Sequence, residues 1–120
     1  MNWNGDQPIY RQLREKMAAL IISGAFKEGE PLPSVRQVSG DYQIKHITVS
    51  KAYQELVDMG LVEARRGMGM YVLEGAQQKL HGIEKEKFIS TEVPALLTRM
   101  RQLGISKKEL IAALQAAQGE

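Results

Sequence analysis

Basic side chains are concentrated in two stretches of the sequence that contain almost no acidic residues. Residues 31–54 contain a single acid, Asp41, and residues 64–73 contain none. The cations in these stretches are Arg36, Lys45, Lys51, Arg65 and Arg66. Residues 1–74 carry nine Lys or Arg and nine Asp or Glu, so the positive charge there is local. Such segregation favours contact with nucleic-acid phosphates, with an ordinary mixed surface as the alternative interpretation.

Other kinds of site chemistry are not indicated. The sequence has no pair of catalytic carboxylates, no Ser/His/Asp set and no metal-ligand spacing, and its only histidines are His46 and His81. We therefore expect no enzyme activity, no bound metal and no cofactor. The absence of cysteine favours a cytoplasmic protein. The longest apolar run, residues 17–22, is far shorter than the roughly 20 residues of a membrane helix, so we expect no membrane association.

The spacing of apolar residues predicts three helices in the first half of the chain. Pro8 is expected at the first position of a helix with one apolar stripe. Ser34 and Gln37 form a capping box that begins a short second helix. After a turn at residues 43–45, a longer helix is predicted from about His46 to Met59, with a polar and basic outer face. This order is typical of a helix-turn-helix, with a plain helical hairpin as the alternative.

A β-hairpin is predicted directly after the third helix. Residues 61–73 hold two short runs of β-forming residues around a tip that contains Gly67 and Gly69. Arg65 and Arg66 lie at this tip, where they could reach phosphates or the minor groove. A hairpin in this position is the wing of a winged helix-turn-helix. Simple turn chemistry is the alternative reason for the two glycines.

A series of motifs follows in order over about residues 7–73. They include Pro8-Ile9-Tyr10-Arg11-Gln12-Leu13, Gly29-x-x-Leu32-Pro33-Ser34-Val35-Arg36, Thr48-Val49-Ser50-Lys51-Ala52-Tyr53 and Arg66-Gly67-x-Gly69-x-Tyr71-Val72. Their combination resembles the N-terminal domain of the GntR family of bacterial transcription regulators. The resemblance implies a winged helix-turn-helix that binds operator DNA as a dimer.

The resemblance also implies which residues contact DNA. In such proteins the arginine of the Leu-Pro-Ser-x-Arg motif contacts DNA, and here it is Arg36. The start of the recognition helix contacts bases and phosphates, and the wing tip lies against the minor groove. These elements correspond to Lys45, His46, Ile47, Thr48 and Ser50, and to Arg66 and Gly67. From side-chain chemistry, Lys51 is added as a ligand for phosphate or guanine, Arg65 as a second wing cation, and Ile47 as a contact for a thymine methyl group.

Three positions at or near the turn before the recognition helix depart from the family pattern. Ser39 and Gln43 stand where small alanine or glycine residues are usual, so we expect slight strain in the turn. Lys45 stands where a serine or asparagine usually caps the helix. The helix therefore loses this cap, and its start gains a positive charge that can face a phosphate.

Residues 75–120 predict further helices. Apolar residues recur at spacings of three and four up to Leu103, and Ser106 with Glu109 forms a capping box for a final helix. Pro94 complicates the first of these helices. We favour one long kinked helix from about Gln78 to Leu103, with a break near residues 90–91 as the alternative.

The apolar face of this tail predicts a dimer interface. Its members are Ile89, Val93, Leu96, Leu97, Met100, Leu103, Leu110, Ile111 and Leu114. These 46 residues are too few for an independent ligand-binding domain, so we expect a second copy to cover the apolar face. Folding of the tail onto its own winged domain is the alternative. The short two-helix tail resembles that of the YtrA-like subfamily of GntR regulators, where it serves dimerisation.

These features together predict a mainly α fold with a small β-hairpin. A winged helix-turn-helix domain at residues 1–74 is followed by a C-terminal helical dimerisation segment at residues 75–120. We expect a sequence-specific transcription regulator, a repressor that binds a palindromic double-stranded DNA operator as a homodimer. A small-molecule effector of unknown identity could occupy a crevice of the dimer. The alternative function is a winged-helix protein-interaction module that does not bind DNA.

Overall fold

The structure is a computed structural model that describes Trp3, Gly5 and residues 7–117. Its described elements are α1 (Ile9–Ile22), α2 (Val35–Tyr42), α3 (His46–Asp58), β1 (Val62–Arg65), β2 (Gly69–Val72), α4 (Ala76–Lys87), a π-helical segment (Phe88–Glu92), α5 (Val93–Leu103) and α6 (Lys107–Ala116). The predicted mainly α class with one small hairpin is confirmed. The chain divides into two compact units, residues 1–82 and residues 83–120.

The core of the first unit is built from one face of each helix and from the hairpin. Its buried side chains are Leu13, Met17 and Ile21 of α1, Val38 of α2, Val49, Ala52, Tyr53 and Leu56 of α3, Val62 and Val72 of the strands, Ala76 and Leu80 of α4, and Leu32, Ile44 and Leu61 of the connections. The four buried residues of α3 recur at helical spacing, so its opposite face is left for solvent. Burial of this inner face therefore sets the orientation of the predicted recognition helix.

The starts of the first two helices follow different local rules. The Ser34 hydroxyl accepts a hydrogen bond from the Gln37 N–H at 3.0 Å, which is the serine half of the predicted capping box of α2. Pro8 lies at the N-cap of α1 with ψ of 147°, one residue before its predicted place. The Pro8 carbonyl accepts hydrogen bonds from the N–H groups of Arg11 and Gln12, so the proline contributes an acceptor and the helix begins at Ile9.

The helical backbone does not break at residues 90–91. Lys87, just before the π-helical segment, and Val93, just after it, both have right-handed helical backbone angles. The N–H of Val93 donates to the carbonyl of Phe88, five residues earlier, which is a π-type hydrogen bond. Pro94 lies in the first turn of α5, where its missing N–H costs little. The widened turn accommodates the proline, and the favoured long helix from about Gln78 to Leu103 is formed as a continuous helical backbone.

The last connection follows the predicted pattern. Gly104 ends α5 with φ of +70°, and the Ile105 N–H returns to the Met100 carbonyl at 2.9 Å. Ser106 and Glu109 form both hydrogen bonds of the predicted capping box at the start of α6. No helix among the described residues is long and apolar enough to cross a membrane.

Candidate nucleic-acid interface

The turn between α2 and α3 is held by Ser39. The Ser39 carbonyl accepts from the N–H groups of Gln43 and Ile44, and the Ser39 hydroxyl donates to the Ile44 carbonyl. Gln43 has left-handed backbone angles, φ 54° and ψ 51°, which is the strain expected from its type. Ile44 is buried and anchors the turn in the core. These contacts fix where α3 begins.

The first turn of α3 has no side-chain cap. Lys45 occupies the N-cap position, and its side chain makes no capping hydrogen bond. The leading N–H groups of a helix carry partial positive charge, so this end favours an anion. The Lys45 side chain is exposed and adds a full charge at the same end. The arrangement suits a phosphate group.

The outer stripe of α3 is open to solvent. Ile47 is 76% exposed, although isoleucine is usually a core residue. His46, Ser50 and Lys51 are also exposed, and Thr48 is half-buried. An exposed stripe with an apolar side chain, a hydroxyl and an imidazole near the start of a helix offers groups that can read base edges in a major groove.

The wing is fixed to the start of α2 by a short connecting segment. β1 and β2 are antiparallel, with Val62 opposite Val72 and Arg65 opposite Gly69. Residues 29–32 run beside β2, where the Leu32 N–H donates to the Met70 carbonyl at 2.8 Å. Gly67 at the tip has φ of +72°, which a residue with a side chain rarely adopts. The same segment leads into Ser34, so the hairpin and α2 share one support.

A second tie joins α3 to this support. The Tyr53 hydroxyl, on the inner face of α3, donates to the Pro33 carbonyl at 2.7 Å. Burial raises the pKa of Tyr53, and the neighbouring Tyr42 adds to the rise, so the hydroxyl stays protonated as a donor. A cleft of about 280 Å³ lies between the wing and the start of α2, lined in part by Tyr53, Met68 and Met70. The helix α3, the wing and α2 are thus held together around Pro33.

Two of the predicted DNA-binding cations have partners within the chain. Lys51 Nζ lies 4.0 Å from the ring centroid of Tyr10 in α1. Arg65 donates to one carboxylate oxygen of Glu63 at 3.2 and 3.3 Å, and its guanidinium carbon lies 4.0 Å from the Tyr71 ring centroid. Cation–π contacts at exposed sites are worth about 0.5–1 kcal/mol. Both side chains must give up or share these contacts to bind a phosphate.

The other predicted cations make no such contact within the part of the chain that the structure describes. Arg36, Lys45 and Arg66 are exposed and make no ion pair or ring contact with a described residue. Arg36 lies in the first turn of α2, and Arg66 lies at the wing tip beside Gly67. These three side chains are the ones most available to an anionic partner.

Trp3 is a candidate that the sequence patterns did not single out. Its ring meets Tyr42 edge to face, with centroids 6.4 Å apart and planes at 82°. It also lines a cleft of about 350 Å³ together with Lys45 and Thr48. An aromatic residue shortly before Pro8 was the only available signal, because the contact with Tyr42 spans about forty residues of sequence.

The predicted dimer residues lie in the second unit, and most are exposed in the single chain. Leu114 is 66% exposed, Ile89 60%, Leu103 55%, Ile111 52% and Leu96 43%. Val93, Leu97 and Leu110 are half-buried. Met100 differs, because it is only 5% exposed and so packs within the chain itself. Phe88, at 50% exposure, was not among the predicted residues and adds to the apolar surface.

Comparisons with known proteins place this geometry in a family. Residues 9–72 match the bacterial regulatory proteins of the gntR family. The HTH-type transcriptional repressor YtrA of Bacillus subtilis is 36% identical over 104 residues, which are 86% of this chain and 78% of YtrA. A GntR family transcriptional regulator from Listeria monocytogenes superposes with a TM-score of 0.76 at 25% identity, covering 97% of this chain and all of that one.

A further solved structure shares the fold of the winged unit. It is the DNA-binding domain of AraR in complex with operator ORX1, with a TM-score of 0.56 at 24% identity, covering 59% of this chain and 92% of that one. The matched region of the family holds the helix-turn-helix and the wing described above. The chain belongs to the GntR family of bacterial regulatory proteins and is a winged helix-turn-helix transcription regulator.

Proposed function

We propose that the chain is a repressor that binds a palindromic DNA operator as a homodimer. Residues 1–74 carry DNA recognition and residues 75–120 carry dimerisation. The observation that supports DNA recognition best is the outer stripe of α3, where Ile47 is 76% exposed beside an uncapped helix start. A repressor in Bacillus subtilis, YtrA, is similar over most of this chain.

The proposed DNA-contacting residues fall into two groups by role. Arg36, Lys45, Lys51, Arg65, Arg66 and Gly67 contact phosphates or the minor groove, and Arg36 and Lys51 can also reach a guanine edge. His46, Ile47, Thr48 and Ser50 face base edges in the major groove. Lys51 and Arg65 reach DNA by leaving Tyr10 and Glu63, so their net contribution is smaller than that of the unpartnered cations.

Dimerisation rests on the exposed apolar side chains of the second unit. An apolar surface of this kind on a small helical unit is typical of a self-association site. A second copy of the chain offers the same surface around a two-fold axis. Two winged units related in this way bind half-sites separated by about one turn of DNA, or a multiple of it. We place the protein in the cytoplasm, where a bacterial operator lies.

Titration onto DNA at two salt concentrations tests this function. Anisotropy of a labelled duplex covering the upstream region of its own gene is compared with that of a scrambled duplex. We expect a large preference for the upstream region and a slope of log affinity against log salt of about −0.9 per neutralised phosphate. A flat salt response with equal weak binding to both duplexes would favour the alternative, a winged-helix module that binds another protein.

A small-molecule effector belongs to the same proposal, with its identity open. Repeating the titration with cell extract fractions of low molecular mass would detect one as a shift in the operator affinity. Unchanged affinity in every fraction would count against regulation by an effector.

A further inference from the structure

Glu28 caps a helix that begins far along the chain. Its carboxylate accepts hydrogen bonds from the N–H of Gly75 at 3.0 Å and from the N–H of Gln77 at 3.1 Å. Glu28 lies in the loop between α1 and α2, and the two N–H groups lie at the start of α4. The first N–H groups of a helix have no partner inside it, and a carboxylate there satisfies them and complements the helix dipole. The two backbone hydrogen bonds, that of Gly75 first, hold the pKa of Glu28 below its ordinary value, so the cap is charged at neutral pH.

The first turns of α4 have other anchors in the same unit. The Gln77 side-chain amide donates to the Ile22 carbonyl at the end of α1, at 3.0 Å. The Lys79 ammonium lies so close to Gly60, just after α3, that a β-carbon there would clash with it. Ala76 and Leu80 are each 1% exposed. The start of α4 is thus hydrogen-bonded to a loop and to the end of α1, and it lies close to the end of α3.

This anchored start is the point from which the chain leaves the winged unit. α4 begins inside the first unit, and its residues 83–87 belong to the second. The two buried apolar side chains of Ala76 and Leu80 alone would let the helix pivot about their contact with the core. Hydrogen bonds from the N–H groups of Gly75 and Gln77, two residues apart, to one carboxylate oppose that pivot, because turning the axis breaks one of them.

We propose that Glu28 is a positioning residue that fixes the direction in which α4 leaves the winged unit and thereby selects the half-site spacing of the operator. The selection of spacing rests on the proposed function, since it requires two winged units joined through their tails. A fixed exit direction limits the separations that both units can bind at once, and a looser one widens the range. Glu28 itself has no need to touch DNA.

Distances measured without DNA test the fixed direction by itself. The chain has no cysteine, so spin labels can be placed on Asp41→Cys in α2 and His81→Cys in α4, both within the first unit, with unlabelled chain added to suppress signals between copies. We expect a narrow distance distribution in the labelled wild type and a clearly broader one in Glu28→Ala. Glu28→Gln keeps one acceptor oxygen and should fall between them. It also serves as the test variant if the alanine change impairs folding.

Glu30 provides the matched control. It lies two residues away in the same loop, and its carboxylate makes no hydrogen bond or ion pair with a described residue. Glu30→Ala removes the same charge and should leave the distribution narrow. Equal widths in wild type, Glu28→Ala and Glu30→Ala would overturn the proposal.

Operator spacing tests the consequence. Duplexes are enriched from a random pool by the wild-type chain, and the spacer between the two half-sites is then changed by half a helical turn. We expect the wild type to prefer its own spacing by about tenfold and Glu28→Ala to lose most of that preference, while affinity for a single half-site stays within about twofold. Retention of the full preference would overturn the selection of spacing.

The distance measurement and the operator-spacing measurement together distinguish failure of the proposed DNA-binding function from failure of the proposed role of Glu28. If the wild type enriches no duplex, the proposed DNA-binding function fails, and the distance arm still decides whether Glu28 fixes α4. If enrichment succeeds and the distances do not respond to Glu28, the positioning role fails and the function stands.

Discussion

At the scale of single residues, the cations of the two acid-poor stretches differ in their surroundings. Arg36, Lys45 and Arg66 make no ion pair or ring contact with a described residue, whereas Lys51 lies over Tyr10 and Arg65 is bound to Glu63 and Tyr71. Residue type and local charge were enough to find all five in the sequence. Their partners could not be found in that way, because Tyr10 meets Lys51 only after α1 has packed against α3.

Arg36→Ala should weaken binding to the operator by about 1–3 kcal/mol if the arginine reads a base, because it loses an unpartnered cation in the first turn of α2. Anisotropy titrations on the operator and on a scrambled duplex measure the change. Lys108→Ala, which removes one positive charge from the exposed start of α6, is the control and should have little effect. An unchanged operator affinity in Arg36→Ala would mean that the DNA face is elsewhere.

Glu63→Gln should strengthen DNA binding a few-fold and steepen its salt dependence, because Arg65 loses a carboxylate that competes with phosphate. The measurement is the slope of log affinity against log salt. The same change in an Arg65→Ala background is the control. An equally large effect in that background would show that Glu63 acts on DNA by general repulsion and not through Arg65.

At the scale of elements, the bounds of the helix-turn-helix could be predicted to within a residue or so, because caps and breakers are local. Ser34, Gly104 and the Ser106–Glu109 box all act where the sequence predicted. The π-helical segment before Pro94 was not predicted in form, since several helical backbones can accommodate a proline. The cap from Glu28 to α4 was also not predicted, because it spans 47 residues.

Gln43→Gly should raise the free energy of unfolding by about 0.5–1 kcal/mol, because glycine adopts φ of +54° without the cost that a side chain brings. Urea unfolding followed by circular dichroism measures the change. Gln37→Gly, in the exposed first turns of α2, is the control and should lower the same free energy by a similar amount. A loss of stability in Gln43→Gly would show that the glutamine side chain supports the turn.

At the scale of the whole molecule, the sequence predicts a winged part and a helical tail, and the structure has two compact units. The pattern of apolar residues identified the tail surface, because helical spacing shows which residues share a face. It could not separate Met100 from the rest, since Met100 is buried by packing within the chain. The helical spacing of apolar residues identifies which residues share a helix face, but it does not show which of them are already buried by packing within the chain.

Leu96→Asp should convert the proposed dimer to a monomer, because it places a charge on an apolar interface. Sedimentation velocity over a range of concentrations measures the association. Gln102→Asp introduces the same charge at an exposed polar position of the same helix and should leave the dimer intact. A stable dimer that carries Leu96→Asp would favour an interface elsewhere.

Trp3 has a practical consequence for following this protein. It is the single tryptophan of the chain, and it lies against Tyr42 in the cleft that Lys45 and Thr48 also line. Intrinsic indole emission therefore comes from one place, beside the start of the recognition helix. The native chain carries its own optical reporter, and a change of emission intensity or wavelength on mixing with a duplex would report on events at that helix start in real time, without a dye.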